Sequence, residues 1–199
     1  MDNTKENKTK KFGSIIKTVF KFIIALIIFN LIFTAFLIVR NVSWKDGFSD
    51  NLRIYYSNIM RECMVSTVEW DGNTENTVFT IPDEYEGIKV TSLGGVPGLA
   101  PTEFTIRVPE DMHPEAMGVT EDENCISDVD EDTVTYCFTV KLGKNIIKLE
   151  HFAYKEYYTD DSGKVIYIVE TNYECPSENK WIYSEDGKLY DKNTNELLQ

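Results

Sequence analysis

An uncharged apolar run near the N-terminus constrains this chain more than any other feature of its sequence. Residues Phe22 to Val39 read FIIALIIFNLIFTAFLIV, eighteen residues without a single charge. A helix that is apolar on every face has no polar side to present to water, and about 20 such residues cross a bilayer. We therefore predict a transmembrane helix over 22–40, in contact with the lipid bilayer through 22–39, rather than the core helix of a soluble protein.

Charged residues on either side of the run predict its orientation. Residues 1–21 contain six lysines and two acids, whereas few basic residues, Arg40 and Lys45, follow closely. Basic residues are retained on the cytoplasmic side of a membrane. We therefore expect residues 1–21 to form a basic cytoplasmic tail and the C-terminal domain to be extracytoplasmic, at the cell surface.

A cleaved secretory signal would share the basic start and the apolar run. This run, however, is longer than the core of a normal signal peptide, and its last residues, 36–39, are bulky (FLIV) instead of small. The pattern favours an uncleaved signal anchor and hence a single-pass protein of the cell membrane.

The acidic charge lies almost entirely beyond the run. The formal net charge of the whole chain is -13 and that of residues 1–21 is +4, so the remaining residues carry -17. Such a surface repels the phosphates of nucleic acids and of anionic lipid headgroups. We expect neither nucleic acids nor anionic lipid headgroups to be partners of the domain beyond the run.

Four cysteines, Cys63, Cys125, Cys137 and Cys175, also lie beyond the run. An oxidising compartment would permit them to pair, and four cysteines allow three connectivities. The short acidic stretch between Cys125 and Cys137 favours that pair, which leaves Cys63 to Cys175. Four unpaired buried thiols are the alternative.

The chain changes its pattern after the membrane-proximal segment. Within 41–62, Asp50 is suited to cap a helix that places Leu52, Tyr55 and Ile59 on one face, so we predict a helical spacer there. Beyond it, short alternating or β-branched runs separated by Gly, Pro, Asn and Asp predict a mainly β ectodomain.

Four segments of this ectodomain resemble one another, each a brief strand with apolar residues two apart: VFTIP (78–82), FTIRVP (104–109), FTVKLG (138–143) and VIYIVE (165–170). Self-similarity at such intervals predicts a solenoid, in which each unit buries its apolar face against its neighbours.

Asp-Gly at 186–187 and Asp-Ser-Gly at 161–163 predict two tight hairpins, because Gly accepts positive φ.

Three pieces resemble bacterial cell-surface leucine-rich repeat proteins of the BspA type. They are Thr77–Gly95 (TVFTIPDEYEGIKVTSLGG), Phe138–Tyr157 and Ser177–Gln199. The resemblance implies a degenerate leucine-rich-repeat-like β solenoid over 63–199, with Phe152 and Ala153 as a buried pair. Residues 95–134 depart from the pattern.

The acidic stretch 110–132 raises the question of a calcium site. It holds ten acids and no Lys or Arg, and Asp128, Asp130 and Asp132 alternate along it. Thr133 and Thr139, however, stand where an EF-hand loop requires Gly and a bidentate Glu. We therefore expect a solvated acidic loop and no metal or cofactor, with these aspartates as weak calcium candidates.

Catalytic signatures are absent from the sequence. No G-x-S-x-G, H-E-x-x-H, P-loop or G-x-G-x-x-G pattern occurs, and neither His113 nor His151 lies near a recognisable nucleophile motif. Both histidines are expected at the surface, and the protein is not expected to be an enzyme.

Tyrosines are concentrated in the last third of the chain. Because their rings give rigid, amphipathic contact surface, Tyr154, Tyr157, Tyr158 and Tyr167 are candidate contacts for an extracellular protein or glycan. The alternative is that most of them pack into a small β core.

The leading functional hypothesis is a membrane-anchored binding or scaffolding module of the cell surface, without catalysis. One alternative is an accessory subunit that docks on another membrane protein through Asn30 and Thr34, which share a helix face. A weaker alternative is an extracytoplasmic hydrolase with two carboxylates as acid and base.

Overall fold

The computed structural model describes residues 3–95, 97, 101–122, 129–150 and 152–198, with side chains from residue 17 onward. The chain divides into two compact units, Met1–Val42 and Ser43–Gln199. An N-terminal apolar helix is thus followed by a mainly β region, as the sequence predicts.

The first unit is one helix, α1, from Asn3 to Val42. Its segment Lys17–Val42 contains 26 residues that are long and apolar enough to cross a membrane, and the most apolar part of it is entirely unburied. At about 1.5 Å per residue these residues extend about 39 Å, which exceeds the roughly 30 Å of a bilayer core. The helix therefore meets the length requirement of a membrane span or a signal sequence.

The second unit is built from short strands. In chain order they are β1 (Lys45–Ser49), β2 (Leu52–Ser57), β3 (Glu62–Glu69), β4 (Val78–Thr80), β5 (Glu84–Tyr85), β6 (Ile88–Lys89), β7 (Ser92–Leu93), β8 (Thr105–Arg107), β9 (Gly118–Thr120), β10 (Val134–Lys141), β11 (Lys148–Leu149), β12 (Lys155–Thr159), β13 (Val165–Glu174), β14 (Ile182–Glu185) and β15 (Lys188–Asp191).

Two mixed sheets and two small hairpins contain these strands. The first sheet has the order β1-β2-β3-β7-β11, and β8 also pairs with β3; β1, β2 and β3 are antiparallel, whereas β7 and β8 run parallel to β3. The second sheet has the order β4-β10-β13-β12-β9, with β4, β10 and β13 parallel. The hairpins are β5-β6 and β14-β15.

One hydrophobic core receives side chains from both sheets. Ile54 and Val65 of the first sheet and Phe138, Val169 and Tyr173 of the second belong to the same buried cluster. Burying each such side chain contributes roughly 1.5–3 kcal/mol to folding. Alternate residues of β13 face this core, as expected for a strand with a period of two.

The predicted helical spacer is wrong, because residues 45–57 form the β1-β2 hairpin. Asp50 does not cap a helix; it has a φ of 50° in the two-residue turn of this hairpin. Leu52 and Ile54, two residues apart, are both buried. Their period of two, together with pairing to β1 and β3, prevails over the helical spacing of the same segment.

The two predicted turns are confirmed. Residues 161–163 lie in the turn between β12 and β13, and Asp186 and Gly187 join β14 to β15 with φ values of 49° and 76°. Positive φ at both central positions is the conformation for which Asp-Gly is suited.

No solenoid is detected in the part of the chain that the structure describes. Each of the four similar segments does contain a strand, and β4, β10 and β13 are parallel neighbours. However, β8 belongs to the other sheet, where it pairs with β3. The predicted burial of Phe152 and Ala153 is confirmed.

Candidate functional site

A cleft with a volume of about 320 Å³ opens beside β9, at the edge of the second sheet. We call it the aromatic cleft. The lining residues that define its character are Arg107, Glu110, His113, Met117, Val119, Tyr158 and Tyr167.

The β12-β13 pairing builds the wall of the aromatic cleft. Tyr158 and Tyr167 are cross-strand partners, so their side chains emerge on the same face of the sheet. Their rings stack with centroids 4.3 Å apart and an interplanar angle of 12°. A stack of this kind contributes about 0.5–1.5 kcal/mol beyond the burial of the rings, and it fixes the shape of the wall.

His113 continues the stack from a loop. Its ring lies 4.6 Å from that of Tyr167 at an angle of 27°, and its Nε2 is hydrogen-bonded to the Tyr136 hydroxyl at 2.8 Å. The other ring nitrogen, Nδ1, is 3.6 Å from Oε1 of Glu115. The side chain is 16% exposed, so His113 is partly buried in the wall of the cleft instead of freely exposed, and His151 lies outside the described residues.

The rim of the aromatic cleft is amphipathic. Arg107 forms an ion pair through Nη1 with Oε1 of Glu69 at 3.0 Å, and Glu110 adds a carboxylate. On the β9 side, Met117 and Val119 are 78% and 52% exposed. A concave site with apolar walls and a few polar groups suits an organic ligand or a side chain of a partner protein.

The phenols of the wall are not poised for proton transfer. Burial, and then the charge of the nearby Glu156 carboxylate, raises the pKa of both Tyr158 and Tyr167 well above its usual range. Both hydroxyls are therefore neutral at physiological pH. They are available as hydrogen-bonding groups and not as bases or nucleophiles.

A buried carboxylate lies next to this wall. Glu156 is two residues from Tyr158 on β12 and is 7% exposed. Its side chain forms no hydrogen bond or ion pair among the described residues. Tyr157 of β12 pairs with Thr120 of β9, so the next pair along the two strands brings Glu121 opposite Glu156. Burial, followed by repulsion from Glu121 and Glu103, raises the pKa of Glu156 to about 7. Glu156 does not line the aromatic cleft, so its position does not supply a catalytic acid there.

Only two of the four predicted contact tyrosines reach the aromatic cleft. Tyr157 is buried on the opposite face of β12, in a small cluster with Val165 and Ile168. The hydroxyl of Tyr154 accepts a hydrogen bond from the Leu189 amide and donates one to the Leu198 carbonyl, both at 2.9 Å. These two side chains therefore stabilise the fold.

The calcium candidates do not converge in the described part of the chain. Asp130 forms an ion pair with Lys164, with 2.7 Å between Oδ2 and Nζ, and Asp132 is exposed in a turn. Asp128 lies outside the described residues. Among those that the structure covers, no three His, Cys, Asp or Glu side chains are arranged to hold a metal ion.

Three of the four cysteines are free thiols. Cys63 is buried, Cys175 is half-buried and Cys137 is exposed, so the pairing of Cys63 with Cys175 is not formed in the structure. Burial raises the pKa of Cys63 to about 12 and that of Cys175 to about 11. Cys125, the other half of the second predicted pair, lies outside the described residues.

Little in the sequence indicates that His113 and Glu156 lie at or beside the aromatic cleft. His113 is flanked by Pro114 in an acidic segment, a setting typical of a surface loop. Glu156 offers one signal, since it lies two residues from Tyr158 and therefore on the same face of β12. Comparison adds no assignment, because no protein-family model, curated protein or solved structure matches the chain.

Proposed function

We propose that this chain is a single-pass, membrane-anchored binding module of the cell surface, without catalysis. Its N-terminal tail is cytoplasmic and its β domain is extracytoplasmic. The observation that carries the proposal is the unburied apolar segment Lys17–Val42, which continues directly into a separate compact unit that begins at Ser43. Such a segment is unfavourable in water and favourable in a bilayer.

Two sequence features support this orientation and location. Six lysines lie within residues 1–21, before the uncharged run 22–39, and by the positive-inside rule they support a cytoplasmic N-terminus. The resemblance of three segments to bacterial cell-surface leucine-rich repeat proteins implies a role in binding at the surface.

The helix is proposed as an anchor rather than as a docking element for another membrane protein. The side-chain amide of Asn30 donates a hydrogen bond to the Leu26 carbonyl of its own helix at 2.9 Å. This bond occupies one N–H of the amide within its own helix, and docking through the second N–H and the carbonyl oxygen is the alternative that the anchor proposal sets aside.

The aromatic cleft is proposed as the partner site. Met117 and Val119 offer exposed apolar surface at its entrance, while the stacked wall behind them is rigid. When a protein or glycan inserts an apolar group into the cleft, the side chains of the wall lose little conformational entropy, since their rings are already ordered.

Photo-crosslinking on intact cells tests the partner site. A photoreactive amino acid replaces Met117 at the entrance of the cleft in the full chain, and a matched control replaces Val78, an exposed residue of β4 that does not line it. We expect a discrete crosslinked species for the Met117 variant alone. Equal crosslinking at both positions, or none at Met117, would overturn the assignment of the cleft.

A further inference from the structure

We propose that one end of the first sheet rests on the surface of the lipid bilayer. This end, which we call the entry end, is the one at which the chain enters β1 and at which β3, β7 and β11 begin. The proposal depends on the proposed function, because it requires the apolar helix to span the membrane.

The β1-β2-β3 meander places its second turn at the entry end. Lys45, the first residue of β1, follows the helix after only Ser43 and Trp44, and it pairs with Tyr56 near the end of β2. The Ser57 hydroxyl donates a hydrogen bond to the Ser43 hydroxyl at 3.0 Å. The turn over residues 58–61 therefore lies beside Ser43, the first residue of the β domain.

Parallel pairing brings two further segments to the same end. The Thr91 amide donates to the Cys63 carbonyl at 3.0 Å, and the Ile147 amide donates to the Thr91 carbonyl at 2.9 Å. The residues just before β7 and β11 thus align with the start of β3. Asn179 donates to the Ile146 carbonyl at 2.8 Å and accepts from the Trp181 amide at 2.9 Å, which holds Trp181 nearby.

Three exposed large apolar side chains lie at the entry end. Ile59 is 67% exposed, Trp181 is 51% exposed and Ile147 is 47% exposed, and the last two line a common groove. Single exposed apolar residues are ordinary on a protein surface. Here, however, three of them lie around the end of the domain that is joined to the apolar helix by two residues. Trp beside aliphatic side chains is typical of surfaces that sit at the boundary of headgroups and acyl chains.

The charges at the entry end suit lipid phosphates. Arg61, Lys89 and Lys148 are exposed and form no ion pair among the described residues, and Lys180 precedes Trp181. Six other basic side chains of the domain are paired with acids, in the pairs Arg53–Asp46, Arg107–Glu69, Lys141–Glu174, Lys144–Asp83, Lys155–Glu170 and Lys164–Asp130.

The local charge thus departs from the acidity of the domain as a whole. Glu62, Glu84 and Glu86 also lie near the entry end, and Glu150 and Asp191 line the groove that Ile147 and Trp181 share, so the charge there is mixed. Because screening limits electrostatic contact to about 10 Å at moderate salt, lipid phosphates sense these nearby charges of both signs and not the excess of carboxylates on the rest of the domain. The entry end can therefore approach a bilayer that the remaining surface repels.

Tryptophan fluorescence of the full chain in vesicles tests the proposal. The difference between wild type and Trp181→Phe isolates the emission of Trp181. In phosphatidylcholine and phosphatidylglycerol vesicles whose acyl chains carry bromine near the headgroup, we expect this emission to fall by roughly half or more, because the ring lies at the headgroup boundary. Acrylamide in the water should quench it weakly.

A reporter at the opposite end of the sheet is the matched control. Thr74 is exposed in the loop after β3, and β3 itself extends about 23 Å from its first residue at about 3.3 Å per residue. In Trp181→Phe/Thr74→Trp, the new ring should be quenched by acrylamide and not by bromine. If Trp181 behaves as this control does, the proposal is overturned. Ile59→Glu, which does not alter the reporter, should reduce bromine quenching of Trp181, and an unchanged value would also contradict the proposal.

Flotation of the same vesicles after an alkaline wash separates the two levels of inference. If the chain does not float with the lipid, the membrane anchor itself fails. If it floats while Trp181 remains exposed to water, only the contact of the entry end with the bilayer fails.

Discussion

Replacing Glu156 by Gln should remove a pH dependence that this one carboxylate imposes on the β domain. Burial, and then repulsion from Glu121 and Glu103, raises the pKa of Glu156 to about 7, from an ordinary value of 4.5. The folded state therefore binds the proton more tightly than the unfolded state does. The stability that this group contributes is fully present below about pH 4.5 and is lost as the pH rises through about 7.

The size of the effect follows from the two pKa values. At about 1.4 kcal/mol per pH unit, the interval between 4.5 and about 7 corresponds to about 3 kcal/mol in the free energy of unfolding. Gln has nearly the same shape but does not titrate. Whatever Gln costs as a buried amide is the same at every pH, so the pH-dependent difference between the two proteins isolates the carboxylate.

Urea unfolding of the full chain in detergent, followed by tryptophan fluorescence, measures this difference. Relative to wild type, Glu156→Gln should gain about 2–3 kcal/mol between about pH 5 and about pH 8.5. Glu131→Gln, at an exposed turn position, should gain nothing and serves as the control. A wild-type protein and a Glu156→Gln variant with parallel pH profiles would refute the burial argument.

Three further predictions follow from buried contacts. Asn179→Ala removes the oxygen that accepts hydrogen bonds from the Trp181 and Ile182 amides and the N–H that donates to the Ile146 carbonyl. In urea titrations it should lower the free energy of unfolding by about 3 kcal/mol, and a loss below about 1 kcal/mol would contradict this role. Gly187→Ala should cost about 1–3 kcal/mol by the same assay, because φ is 76° there and a Cβ would crowd Asn172; an unchanged midpoint would be inconsistent with this turn. In the folded chain iodoacetamide should modify exposed Cys137 and spare Cys63, whose pKa burial raises to about 12; equal rates by mass spectrometry would argue against the structure.

Much of the architecture depends on local chemistry and was accessible from the sequence. The apolar helix follows from a run in which solvent preference outweighs every other term. The hairpin at Asp186 and Gly187 follows from two residues that tolerate positive φ. The strands of the four similar segments follow from apolar residues two apart.

The errors arose where pairing between distant segments decides the outcome. Leu52, Tyr55 and Ile59 fit a helical spacing, but Leu52 and Ile54 also fit a strand, and only the presence of β1 and β3 on either side selects the second pattern. Likewise β8 resembles β4, yet it pairs with β3 in the other sheet. Short segments of similar composition do not specify which neighbour they pair with.

The aromatic cleft was not predicted, although two of its residues were named from the sequence. Tyr158 and Tyr167 were candidate contacts, and strand parity could have separated them from Tyr157, which points to the opposite face. His113 reaches the cleft from a loop more than 40 residues before Tyr158 along the chain. No local pattern encodes that approach, since it depends on how the loop packs on the completed sheet.

The central claim is that the apolar helix anchors an extracytoplasmic β domain. Its most direct test is protease treatment of intact cells that express the full chain, followed by alkaline carbonate extraction of their membranes. The account predicts that protease removes the domain after residue 43 while the N-terminal tail is protected, and that the remaining helix stays with the membrane pellet. A domain that resists protease until the cells are broken, or a chain that carbonate releases into the supernatant, would contradict it.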